Sequence, residues 1–431
     1  MNSYPSYKDS GVEWIGEIPS SWSVKRNKYI TTPKKDKSED GSEELLSVSE
    51  YLGVVPRSVI REGEDHLTRS ESLEGYLKVS KGDLVNNIML MWKKGLGVSK
   101  YDGIVSPSYS VFSFNESIPT YHHYLFRTDL YITEFRKNST GIIQSRLRLY
   151  DDDFGFIYSY LPPIDEQKQI VSFLDTKTQK IDELIEKTEQ KIELLKEKRT
   201  SLINHCVTKG LNPDVEMKDS GVEWIGEIPN HWGVKLLKFV FNSIREKSET
   251  GEEELLSVLI KKGVVRRRDF LGEDSDNLTR SESLVGYIHC SKGNLVNNIM
   301  KMGFYCLGIS DYDGIVSPGY SVFEMIDNND YPKYWDYLLK TEIYVSEYRK
   351  RSKGIQESRM RLYDDYFLSI HSLYPPKTEQ TKIIEHLDEQ TQKIDSTIEK
   401  ETQRIELLKE YRQSLISEVV TGKVDVREWS G

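Results

Sequence analysis

Arginine, lysine and glutamine recur in short clusters whose side chains suit contact with a polyanion. The first half of the chain carries Arg57, Arg61 and Arg69, then Lys93 and Lys94, then Gln144, Arg146 and Arg148. The second half carries Arg267, Arg268 and Arg280, then Gln356, Arg359 and Arg361. Clustered cations neutralise phosphates, whereas planar donors such as Arg and Gln can read base edges in a groove. Gly141 and Gly354 precede two of these groups in turn-like settings that suit close approach to a backbone. Ordinary solvated surface charge accounts for any single one of them equally well.

Other chemistry is excluded or poorly supported. There is no GxxxxGK[ST] phosphate loop, HExxH or GxSxG. Leu161-Pro162-Pro163-Ile164 and Tyr374-Pro375-Pro376-Lys377 imitate the [DN]PP[YF] tetrad of adenine methyltransferases but lack its Asn or Asp. Pro213-Asp214 and Glu216-Met217-Lys218 imitate parts of a nuclease motif, yet they adjoin in sequence where the chemistry needs separate strands. Cys206, Cys290 and Cys306 form no CxxC pair and read as buried thiols, with no metal site expected. His122-His123 is the one histidine cluster, and a helix surface explains it.

The elements that must position the cations are written twice. Residues 8–19, KDSGVEWIGEIP, recur letter for letter at 218–229. SKGDLVNNIM at 80–89 returns as SKGNLVNNIM at 291–300, and GIIQSRLRLYDDDF at 141–154 as GIQESRMRLYDDYF at 354–367. The offset drifts only from 210 to 213, so each copy is a domain-scale unit rather than a solenoid repeat. Each copy opens with about 160 residues of mixed pattern, including the β-rich runs at 103–105 and 109–112 and a Tyr-rich helical stretch near 121–137. The copies part company at 56–66 against 266–277, at Met91-Trp92-Lys93-Lys94-Gly95 against Met302-Gly303-Phe304-Tyr305-Cys306, and at Ile143-Gln144 against Gln356-Glu357. Trp92 fits a core position or a ligand-facing one.

After a Pro pair in each copy, with Asp165 or Thr378 in the expected N-cap position, nothing breaks a helix for about 40 residues. Its apolar seam runs through Leu174, Ile181, Ile185, Ile192, Leu195 and Leu202, and in the second copy through Leu387, Ile394, Ile398, Ile405, Leu408 and Leu415. Thr178, Arg199, Thr391 and Arg412 also fall on the seam, as snorkelling residues or as setters of register. The two seams are each other's nearest partners, and chain order favours an antiparallel coiled coil. The fold class expected is therefore α+β: two similar mixed α/β domains separated by two long helices, related by a pseudo-twofold axis. The chain has 431 residues, 59 Lys and Arg against 69 Asp and Glu, a balance of −10 that argues against a globally basic nucleic-acid coat. No apolar run approaches a membrane span, and the first residues resemble no signal peptide, so a cytoplasmic protein is expected.

These blocks, taken together over essentially the whole chain, resemble the DNA-specificity (S) subunits of type I restriction-modification systems. The carriers are KDSGVEWIGEIPSSW, NNIMLMWKKGLGVSKYDGIVSPSYSVF and LPPIDEQKQIVSFLD leading into the long helix. The resemblance implies a target-recognition domain over 1–160, a helical spacer over 161–205, a linker over 206–217, a second target-recognition domain over 218–373, a second spacer over 374–421 and a tail over 422–431. It implies a non-catalytic subunit that reads two half-sites in double-stranded DNA and recruits two modification (adenine methyltransferase) subunits and two restriction subunits. S-adenosylmethionine, ATP and Mg would belong to those partners, with no cofactor on this chain. The likeness of the copies predicts related half-sites and a near-palindromic target. A coiled-coil assembly scaffold that binds no DNA is the alternative.

Overall fold

The computed structural model describes residues 2–50, 52–60, 72–141, 147–260, 262–271, 283–327, 331–354 and 360–429. The chain divides into two compact units, residues 1–189 with 402–431 and residues 190–401. Each unit combines one α+β domain with a segment from each of two long helices, Ile164–Lys209 and Lys377–Val420.

At the centre of the first domain is an antiparallel sheet in the order Thr31–Lys34, Tyr109–Phe114, Leu84–Asn87, Leu96–Val98. Strand alternation sorts its side chains between two cores. Leu84 and Phe112, paired across strands, face the main core with Leu125, Phe126, Tyr131 and Phe135. Val85 and Val111, also paired, face a smaller cluster with Leu46, Val54, Val79 and Val105 from two β-ribbons. The second domain repeats this with Phe241–Ile244, Tyr320–Met325, Leu295–Asn298 and Leu307–Ile309. There Leu295 pairs with Phe323 in the main core and Val296 with Val322 in the smaller cluster.

The long helices contact each other in antiparallel fashion. In the first unit Arg412 donates to Asp182 at 2.8 and 3.2 Å, and Gln169 reaches the Arg427 carbonyl. In the second, Lys191 pairs with Glu401 and Arg199 donates to Asp395 at 2.8 and 3.1 Å. Leu174, Ile181, Ile192, Leu387, Ile394, Ile405 and Leu415 are buried, whereas Ile185, Leu195, Leu202, Ile398 and Leu408 are partly exposed. Thr178, Thr188 and Thr391, all buried, donate to carbonyls of their own helices, whereas Arg199 and Arg412, like Lys191, bond from helix to helix.

Three expectations change. The helices begin at Ile164 and Lys377, so Asp165 and Thr378 lie inside the first turn and are not caps. The first helix runs through Lys209, so the stretch from 206 is one more helical turn before the connection to the next strand at Met217. His122 is not on a helix surface: it is fully buried, stacked on Phe114 at 4.9 Å with Ser117 Oγ 2.7 Å from its Nε2. Burial lowers its pKa to about 3. The three cysteines are free and buried.

Each domain is fastened to its helix by a carboxylate, buried in the first unit and partly exposed in the second. Glu166 Oε1 accepts from Trp22 Nε1 at 2.8 Å and from the Tyr4 hydroxyl at 2.5 Å. Glu379 Oε2 accepts from Trp232 Nε1 at 2.9 Å and lies 2.7 Å from His231 Nε2. The far helix is tied in the same way, Tyr121 donating to the Val420 carbonyl and Tyr334 to that of Val207. In the first unit Asn2 bridges to Asp425, bringing the two ends of the chain side by side.

Candidate nucleic-acid interface

The divergent block of each copy folds as a tight tip between two sheet strands. A 3-10 turn covers Met91–Lys93 in the first unit and Met302–Phe304 in the second. The residue after it, Lys94 or Tyr305, is left-handed, with φ of 61° or 60°. Gly95 follows in close quarters, where a Cβ would lie 2.6 Å from the Leu90 carbonyl oxygen, while the second unit makes the same return with Cys306. Behind the first tip Arg127 donates to the carbonyls of Lys94 and Leu96 at 3.0 and 2.6 Å and to that of Glu50 at 2.6 Å. Burial lowers its pKa to about 10. Sequence reading passed over Arg127, which stands between two short helices, next to Phe126 and Thr128, and belongs to no basic cluster.

Lys93 is exposed, its ammonium 5.0 Å from the Trp92 ring centre, and Lys94 pairs with Asp129 at 2.8 Å. Arg148 is exposed in a bridge with Thr140, and the next residue, Leu149, donates to the Ile88 carbonyl at the root of the tip. The structure thus brings Lys93, Lys94 and Arg148 to neighbouring segments. Arg361 repeats this arrangement, bridged to Lys353, with Leu362 donating to Ile299. Arg57 and Arg267 start equivalent short helices, their backbone amides bonded to Leu45 and Leu255. Arg268 is held by Glu254 at 2.9 Å. Arg61, Arg69, Gln144, Arg146, Arg280, Gln356 and Arg359 lie outside the described residues.

In the second unit a cavity of about 550 Å³ is lined by Lys262, Arg267, Lys301, Asn298, Cys306 and Tyr320 among others. Its described lining residues include three cations, Lys262, Arg267 and Lys301, and no carboxylate. At the aligned positions the first unit has Leu52 for Lys262 and Leu90 for Lys301. A further basic and aromatic patch escaped sequence reading. Arg26 and Lys28 lie 5.4 and 4.6 Å from the exposed Phe156 ring, and Lys28 lies 5.2 Å from that of exposed Tyr29. Spaced cations and aromatics from two distant segments gave no local signal. Among the described residues no three His, Cys, Asp or Glu side chains converge as metal ligands, and no helix is long and apolar enough to cross a membrane.

No protein-family model matches the chain. Its fold does match solved structures. A chain from a structure described as the basis of complex assembly and conformational transition of the type I R-M system aligns with a TM-score of 0.66 at 14% identity, covering 94% of this chain and 99% of that one. The HsdS subunit from Thermoanaerobacter tengcongensis aligns with a TM-score of 0.54 at 14% identity, covering 94% and 98%. The fold, two α+β domains with two long helices, is therefore that of the specificity subunits of type I restriction-modification systems.

Proposed function

We propose that this chain is the DNA sequence-specificity subunit of a type I restriction-modification complex. The observation that carries the reading is duplication at the level of whole units: two equivalent domains, each fastened to both long helices by the same Trp–carboxylate and Tyr–carbonyl bonds. One such domain can engage one half of a bipartite duplex site, and two copies engage two halves. The exposed cations on the tips supply phosphate contacts, and the divergent residues around them supply the difference between half-sites. A net charge of −10 does not oppose this, because counterion release depends on the phosphates neutralised locally.

On this reading the chain carries out no catalysis. Two modification subunits bind S-adenosylmethionine and methylate adenine, and two restriction subunits use ATP and Mg. The outer, mixed-charge faces of the long helices are the surface on which partner helices dock, and the complex works in the cytoplasm, where its DNA is. Co-expression with an adenine methyltransferase subunit encoded beside it, followed by methylome sequencing, tests this. The expected product is methylated adenine in an interrupted near-palindrome. No new methylation, with no duplex binding by the assembled complex, would return the chain to the scaffold reading.

A further inference from the structure

The two tips solve one packing problem with opposite electrostatic results. In both units an arginine near the end of a short helix, Arg136 or Arg349, reaches the tip of its own domain. In the second unit Arg349 is used up: its Nε donates to the Gly303 carbonyl at 2.9 Å and its Nη1 to Glu342 Oε1 at 2.8 Å. Gly303 makes room for this, since a Cβ there would lie 2.9 Å from Arg349 Cγ. The other Glu342 oxygen accepts from the Tyr305 hydroxyl.

In the first unit Trp92 replaces that glycine and Asp129 replaces that glutamate. Asp129, one methylene shorter, is held by Lys94 at 2.8 Å, and the Arg136 guanidinium makes no hydrogen bond or ion pair among the described residues. Its guanidinium instead lies 5.8 Å from the Trp92 ring centre. Lys93, which replaces Phe304, stands 5.0 Å from the same ring and likewise has no carboxylate partner among the described residues. The indole is itself fixed, its N–H donating to the Met89 carbonyl at 3.0 Å. Two exposed cations thus share one anchored aromatic ring, and among the described residues neither pairs with a carboxylate. An indole face orients a cation without neutralising it, leaving its N–H donors for an external acceptor.

We propose that Trp92, Lys93 and Arg136 form a phosphodiester-binding platform that the second unit lacks, so that the two domains grip DNA unequally. The proposal rests on the DNA-reading role above and adds to it the ligand group and the asymmetry. Arg136 and Lys93 make the contacts, and Trp92 is a positioning residue.

The test measures duplex affinity of the assembled specificity–methyltransferase complex against salt, together with the methylome of each variant. A phosphate contact contributes about 0.9 to the slope of log affinity against log salt. Arg136→Ala and Lys93→Phe are each expected to reduce the slope by about one, and Arg349→Ala to leave it unchanged. Asp129→Glu, which lengthens the carboxylate toward Arg136 without removing a cation, is expected to lower it as Arg136→Ala does. Trp92→Phe should keep the slope and Trp92→Gly reduce it, a split that simple loss of fold would not give. All variants should methylate the same bases. An unchanged slope in Arg136→Ala, equal losses in Arg136→Ala and Arg349→Ala, or altered bases at one half-site would each overturn the platform. A wild-type complex that binds no duplex would instead overturn the DNA-reading role itself, and the wild-type control separates the two failures.

Discussion

At one buried position on equivalent helices the first unit carries His122 and the second Trp335, both fully enclosed. One residue later His123 Nδ1 accepts from the Val98 amide at 3.1 Å, where Asp336 Oδ1 accepts from the Ile309 amide at 2.9 Å. The fold requires a filled volume and one acceptor for a strand amide, and either pair meets the requirement. What differs is everything the requirement leaves open: an ionisable ring in one core, an indole in the other. The tips behave alike, since Lys94 with Asp129 and Tyr305 with Glu342 both close the same left-handed turn. Backbone geometry is shared, and charge is where the copies have diverged.

The sharpest break in the comparison is expected at the carboxylate that fastens each domain. Glu166 is 5% exposed and serves two buried donors, Tyr4 and Trp22, whereas the partner of Glu379 beside Trp232 is the half-exposed His231. Glu166→Ala leaves two buried donors unpaired at about 1–3 kcal/mol each, about 4 kcal/mol in sum, while Glu379→Ala costs about 2 kcal/mol because water reaches His231. Urea unfolding of the two variants should rank them in that order, and equal losses would mean that the domains are fastened equally.

Acid should separate the units next. With its folded pKa lowered to about 3 from an ordinary 6.5, His122 is neutral in both states above pH 6.5. Between pH 6.5 and about 3 the unfolded chain takes up a proton that the folded one refuses, so stability falls as pH falls. At pH 5 the loss is about 2 kcal/mol. Trp335 has nothing to titrate. Hydrogen-exchange protection of 119–126, corrected for intrinsic rates, should drop between pH 7.5 and 5, and His122→Phe should abolish the part that His122 causes. A drop that survives His122→Phe in full would assign it elsewhere.

Much of this is legible in the amino-acid sequence. The duplication is literal in the letters, and the seam of Leu174, Ile181 and Ile192 announces a helix that needs a partner. Chain order favours the antiparallel pairing that the helices adopt. Local chemistry was less legible because it depends on contacts between distant segments. His122 reads as a surface histidine until its copy is aligned, when Trp335 marks the position as core. Arg136 meets Trp92 across 44 positions in the chain, so neither residue signals the other. Asp165 misled as a cap because Pro162-Pro163 admits the helix two residues earlier, with Gln167 reaching back from the first turn to the Pro162 carbonyl.

The smallest expected effect is one on which the two units should agree. Arg412 with Asp182 and Arg199 with Asp395 are bidentate pairs of nearly identical geometry, and their arginine side chains are 34% and 35% exposed. At that exposure water and salt screen most of the Coulomb attraction, so each pair contributes about 0.5–1 kcal/mol. Arg412→Met and Arg199→Met, which keep the apolar stem on the seam, should each lower stability by about that amount, and the loss should shrink at 1 M salt. A double-mutant cycle with Asp182→Asn or Asp395→Asn isolates the pair from the packing of the stem. Equal coupling energies in the two units would place their asymmetry wholly in the domains, whereas a coupling present in one pair and absent from the other would extend it to the helices.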